Sequence, residues 1–185
     1  MTRKTEAQID PMFVDRWSPR AFTGKTLTKE QICSLFEAAR WAPSCYNEQP
    51  WRFFYASDGE KKKEFLSALV ERNRQWAIKA PVLIFLAAKR CFAGGNKENA
   101  WAGFDAGAAW MSLAFQARKM GLYAHAMAAF DPEQAYKVLN LDRKEYLVLA
   151  AIAVGWKGEA SELPEDFRSM EAPNERKPLA EIISG

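Results

Sequence analysis

The chain has 185 residues, of which 49% are hydrophobic, 26% charged and 13% aromatic, the profile of a folded domain rather than a disordered or collagen-like chain. At this length a core forms without disulfides or metal. Lys+Arg 26 against Asp+Glu 23 gives a net charge of +3, and the basic residues are scattered, which argues against a nucleic-acid partner.

The first residues, Met1-Thr-Arg-Lys-Thr, turn polar at once and show no apolar stretch before a cleavage site, so a cytoplasmic location is expected. Asp10-Pro11 predicts a short first helix through Val14, and Pro19 makes Arg16 to Phe22 a basic loop. Thr28 with Gln31 forms a capping box, and Ile32, Leu35, Phe36 and Ala39 recur at helical spacing, so residues 28–41 read as an amphipathic helix. Arg52 to Ser57 reads as a strand. Ser57 with Glu60 predicts the start of a helix carrying Phe65, Leu66, Leu69 and Val70. Pro81 to Ala88 is a buried strand. Asn99 to Lys119 is apolar almost all round, falls short of the ~20 uncharged residues of a membrane span because of Asp105, and stops at Gly121, so it reads as a buried central helix. Asp131-Pro132-Glu133 opens a helix to about Leu139, and Leu147 to Gly155 is a second buried strand. The charged, Pro-rich stretch from Gly155 to Pro178 is long for a plain connection and could wrap a partner. No internal repeat or composition shift divides the chain, so residues 1–185 read as one domain.

Counting removes many familiar chemistries. His125 is the single histidine, which excludes a His-Glu-x-x-His zinc site, and no nucleophile elbow, P-loop or Gly-x-Gly-x-x-Gly fingerprint occurs. Cys33, Cys45 and Cys91 are odd in number, lack Cys-x-x-Cys spacing and read as reduced thiols. His125 reads as a satisfied loop or core histidine, and Cys45 as a small buried thiol. Arg16, Ser18 and Arg20 remain, two guanidiniums and a hydroxyl suited to a phosphate, together with the Pro-bounded loop from Ala42 to Trp51, which could aim Ser44, Asn47 and Gln49 at a ligand.

Several motifs stand in one order: Arg16-x-Ser18-x-Arg20-x-Phe22; the run Ala39 to Phe53; Asn73-x-x-Trp76 before Ala80-Pro81; Asp105-x-Gly107-Ala108-Ala109; Gly121-Leu122; His125-x-Met127-x-x-Phe130-Asp131; and Arg176-Lys177-Pro178-Leu179. Together they resemble the nitroreductase family of FMN-dependent oxidoreductases along nearly the whole chain. The resemblance implies an α+β fold with a central mixed β-sheet flanked by helices and a long central helix at a homodimer interface. By similarity, Arg16, Ser18 and Arg176 bind the FMN phosphate, with Trp17 beside them where relatives often carry a basic residue. Arg20 lies near the flavin's pyrimidine edge, where reduction places negative charge, and is the expected catalytic residue. Pro43, Ser44, Asn47 and Asn73 line the ring and ribityl chain, and Ala126, Met127 and Ala128 approach the flavin through backbone. Ala128-Ala129 replaces a glycine-containing version, which a backbone donor tolerates where the dihedrals are ordinary. The implied activity passes electrons from NAD(P)H through FMN to a small oxidised organic acceptor, a nitroaromatic or quinone, by ping-pong kinetics. Reductive dehalogenation, another flavin reaction, or a non-catalytic flavin-binding or redox-sensing module are the alternatives.

Overall fold

The computed structural model describes residues 3–185. Seven helices, α1 (Pro11–Asp15), α2 (Lys29–Arg40), α3 (Gly59–Ser67), α4 (Glu71–Ala77), α5 (Ala102–Lys119), α6 (Pro132–Leu139) and α7 (Glu165–Arg168), surround four strands, β1 (Trp51–Ala56), β2 (Val82–Lys89), β3 (Tyr123–Met127) and β4 (Tyr146–Gly155). The caps read from sequence form. Asp10 accepts from the Met12 amide, the Thr28–Gln31 capping box closes at 2.9 and 3.2 Å, and Asp131 accepts from the Gln134 amide.

The strands lie in the order β1-β2-β4-β3. Every described pair is antiparallel, which corrects the expectation of a mixed sheet. The physical reason is an insertion. β2 and β3 run the same way, as strands joined by a crossover helix do, but β4 enters between them, so no two parallel strands become neighbours.

Alternation along β2 divides the core in two. Val82, Ile84, Leu86 and Ala88 pack with Ile32, Leu35 and Ala39 of α2 and with Ala106, Ala109 and Leu113 of α5. Leu83, Phe85 and Ala87 face the other way, onto Phe65 and Leu66 of α3, Trp76 of α4, Ala135 of α6 and Phe167 of α7. α5 turns mostly alanine inward, which lets its backbone approach α2 and the sheet closely.

Other elements depart from the sequence reading. Ser57 does not cap α3. Asp58 occupies that position without a side-chain bond, and the expected helix breaks after Ser67 because Leu69 bridges to Phe130 and Ala68 C=O accepts from Asp131 N–H at 2.8 Å. β3 has no counterpart in the sequence reading; its Tyr-Ala-His-Ala-Met is too small and half-polar to announce an edge strand. The segment after Gly155 forms α7 and buries Leu163 and Phe167 against its own core, so through that point it packs on its own chain rather than on a partner.

The loop before α2 is seated on the end of β4. Thr23 N–H donates to Trp156 C=O at 3.0 Å, Gly158 N–H donates to Ala21 C=O at 2.8 Å, and Phe22 bridges to Lys157. Gly155 makes the seat possible, because a Cβ there would lie 2.4 Å from Pro81 Cδ and 3.1 Å from Phe22 Cδ1. Neither ring can swing away as a flexible chain end would. Gly155→Ala is therefore expected to cost roughly 1–3 kcal/mol through overpacking. Urea denaturation checks this, and a loss below about 0.5 kcal/mol would show that the rings yield freely.

Candidate functional site

A cleft of about 410 Å³ opens beside β3, lined by Arg16, Trp17, Ser18, Arg20, His125 and Arg176 among others. Its volume falls in the range of small-ligand sites. Five of the residues expected to bind the cofactor, all of these but His125, therefore meet, although Arg176 lies 160 residues from Arg16 (176 − 16). Arg3, which the sequence reading passed over, joins them. Its guanidinium donates to the carbonyls of Val14 at 2.7 Å and Arg16 at 3.0 Å, tying the N-terminal segment beneath the cleft.

The electrostatics of this cleft are one-sided. None of Arg3, Arg16, Arg20 and Arg176 forms an ion pair among the described residues. Burial first, then the neighbouring Arg176 and Arg3 guanidiniums, hold the Arg16 guanidinium below its usual range. Burial and Arg176 do the same to Arg3, against weaker opposition from Glu175 and Asp15. Arg16 Nη1 stands 3.4 Å from Ser18 Oγ, so a hydroxyl and guanidinium N–H groups converge. A bound dianion would relieve the repulsion and accept charge-assisted hydrogen bonds, so the donor set fits a phosphate.

Trp17 is buried edge-on against Tyr123, with ring centroids 6.0 Å apart, and walls the cleft rather than donating charge to it. Asn73 does not line the cleft. Its Nδ2 donates to Ala129 C=O at 2.8 Å and so braces the chain leaving β3. Ala126 lies on β3, Met127 turns its side chain into the core, and Ala128 is exposed. None of these three, nor Ala129, has a positive φ, so alanine in place of glycine costs nothing in backbone strain here.

Pro43, Ser44 and Asn47 lie elsewhere. Their loop enters β1 at Trp51, which pairs with Ala88 and through it reaches Leu147, whereas His125 pairs with Ala153. Six residues of β4 (153 − 147) separate the two levels, roughly 20 Å of extended chain. The two groups of residues expected to bind the cofactor thus lie apart in one chain. The second is held in an uncommon conformation, with φ of 51° at Tyr46, 56° at Asn47 and 50° at Gln49. Ser44 Oγ accepts from Gln49 N–H at 3.0 Å, and the buried Asp105 of α5 accepts from Cys45 N–H at 3.1 Å. Such strain persists only where the surroundings over-determine it, and it clusters at ligand sites.

His125 is a satisfied histidine, as expected from the sequence. Nδ1 stands 3.0 Å from Pro19 C=O, and because a carbonyl only accepts, Nδ1 carries the proton and Nε2 is left as an acceptor. Burial, with the charges of Arg20 and Arg16 assisting, pushes the imidazole down to about 4 against the favourable Pro19 bond. The ring is neutral at physiological pH. An unfolded chain protonates it near its ordinary value, so below that value the unfolded state binds a proton that the folded state refuses. Stability of the ligand-free protein should then fall as pH drops, by about 2 kcal/mol from this residue between pH 7 and pH 5. Urea titrations at both pH values, parent against His125→Gln, read that difference; equal pH dependence in the two proteins would contradict it.

The profile of the nitroreductase family matches residues 14–75 and 68–156. A Xanthomonas oryzae protein provisionally named NADH dehydrogenase/NAD(P)H nitroreductase is 28% identical over 145 residues, which cover 68% of this chain and 73% of that protein. A similarly named protein of Streptomyces coelicolor is 33% identical over 81 residues, and the match spans 44% of this chain but 40% of that relative. A crystal structure described as an oxidoreductase containing FMN superposes with a TM-score of 0.94 at 41% identity, covering 98% of this chain and 93% of that one. The ordered motifs, the α+β fold and these similarities agree, and the chain belongs to the nitroreductase family.

Proposed function

We propose that this protein is an FMN-dependent oxidoreductase that passes electrons from NAD(P)H to an oxidised organic acceptor, such as a nitroaromatic or quinone. The observation that carries the reading is the cleft in which Arg3, Arg16, Arg20 and Arg176 surround Ser18 without an ion-pair partner among the described residues. The FMN of a solved structure 41% identical to this chain supports the cofactor, and the name of the Xanthomonas oryzae relative supports the electron donor.

In this reading Arg16, Ser18 and Arg176 hold the phosphate, and Arg3 adds a third guanidinium with a backbone-anchoring role. Bound flavin supplies a two-electron carrier, a chemistry that no protein side chain offers. The protein's work is electrostatic. Arg20 offers a fixed positive charge where negative charge develops on reduction, so its stabilisation is larger for the reduced state. Neutral His125 provides no proton donor at physiological pH, consistent with hydride chemistry that needs no general acid from it. Donor and acceptor would use the same open cleft in turn, which is the basis for ping-pong kinetics.

The separation of the two groups supports a homodimer in which Pro43, Ser44 and Asn47 of one chain complete the cleft of another. Trp101, at 58% exposure and capping α5, and Phe104, at 76% in its first turn, leave apolar surface available for that contact. The single domain spanning residues 1–185 would be the protomer.

Protein purified or reconstituted with FMN should be yellow and should bleach under anaerobic NADH or NADPH. Absence of flavin absorbance after desalting would sink the reading, and retained yellow colour with both nucleotides would favour a non-catalytic flavin module. Arg16→Ala and Arg176→Ala should each weaken FMN by about 1.5–3 kcal/mol, read by fluorescence titration. Unchanged affinity in both would move the phosphate elsewhere. Sedimentation at micromolar concentration should give twice the chain mass, and a monomer that still holds FMN would refute the shared site.

A further inference from the structure

One peptide bond in the cleft is held from both edges. Pro19 C=O accepts from His125 Nδ1–H at 3.0 Å. The Arg20 N–H of the same peptide unit donates to both carboxylate oxygens of Glu171 at 3.0 Å, and the next amide, Ala21 N–H, donates to Glu171 Oε1 at 2.9 Å. A trans peptide carries its C=O and N–H on opposite edges, so the two partners fix the rotation of the plane between them. They reach it from 106 and 151 residues away along the chain.

Glu171 forms no ion pair among the described residues and directs its charge at backbone donors, which makes those bonds stronger than neutral ones. The Arg20 guanidinium carbon stands instead 6.0 Å from the ring of the buried Phe167, whose helix immediately precedes Glu171. His125 is backed by the buried ring of Trp76, with centroids 4.7 Å apart. The sequence held no signal for Glu171, a charged residue in a Pro-rich connection.

We propose that His125 and Glu171 are positioning residues that clamp the Pro19–Arg20 peptide and thereby fix the direction from which Arg20 reaches the flavin's pyrimidine edge. This rests on the flavin reading given above. The two effects that Glu171 could have on a bound flavin differ in sign. As a nearby negative charge it would disfavour reduction, so its removal would raise the flavin potential. As a clamp it holds Arg20 in place, so its removal would lower the potential by loosening the cation that favours the reduced state.

The test has an arm without flavin and an arm with it. In ¹⁵N-labelled protein free of FMN, Glu171→Ala should accelerate amide exchange at Arg20 and Ala21 by roughly tenfold or more, the loss expected for a charge-assisted bond. Glu171→Gln, which keeps one accepting oxygen, should restore most of the protection. Unchanged exchange in Glu171→Ala overturns the clamp whatever the flavin does. In FMN-loaded protein, Glu171→Ala and His125→Phe should lower the midpoint potential in the same direction as Arg20→Ala. Neither should shift it further when added to Arg20→Ala, because a clamp has nothing left to position there. A raised or unmoved potential, or shifts that simply add, overturns the proposal. Parent protein that binds no FMN defeats the flavin reading and with it Arg20's assigned target, whereas FMN binding with unmoved variant potentials defeats the clamp alone.

Discussion

Guanidinium groups gathered around one cleft with no carboxylate paired to them repel one another, and the backbone beneath them has to be fixed by contacts that do not use their charges. Here that fixing is done by Ala21 to Thr23, which lie against the end of β4 through two backbone hydrogen bonds and a glycine that admits the Pro81 and Phe22 rings. Arg16 and Arg20 therefore project from a loop whose position is set by apolar packing and amide hydrogen bonds. The burial and the neighbouring guanidiniums that together lower Arg16's proton affinity then favour a bound anion instead of rearranging the loop.

The sheet order extends the same logic. Because β4 lies between β2 and β3, the end of β4 stands in the middle of the sheet rather than at its margin, where helices cover both faces. The edge position goes to β3, whose half-buried His125 can then face both the sheet and the cleft. At the other end of the sheet, the strained turn at Tyr46–Gln49 is tied to α5 by Asp105, a charged group buried in the first turn of a helix where the dipole favours it.

Much of this was legible in the sequence. The capping box at Thr28, the Asp10 and Asp131 caps and the apolar run of β2 predicted their elements because the signals are local and strong. The grouping of Arg16, Ser18, Arg20 and Arg176 came from the ordered motifs, since nothing local says that residue 176 returns to residue 16. β3 escaped because Ala124 and Ala126 carry little strand preference and the strand exists through its pairing with β4. The antiparallel order escaped because strand insertion is a tertiary event. Arg3 and Glu171 escaped for a different reason: each acts through backbone carbonyls or amides, which every residue possesses, so no pattern of side chains marks the target.

The reach of Glu171 also orders the assembly of the protein in time. Arg16 to Arg20 are synthesised before either partner of the Pro19–Arg20 peptide, and Pro19 waits for one 106 residues later and Arg20 for one 151 residues later. Contacts of such span are slow to close and cannot form before most of the chain exists. A chain truncated before residue 171 would keep the seat of Phe22 on the end of β4 but lack the Glu171 contacts to Arg20 and Ala21. The hydrogen bonds that hold the Pro19–Arg20 peptide from both edges are thus complete only once residue 171 has been made.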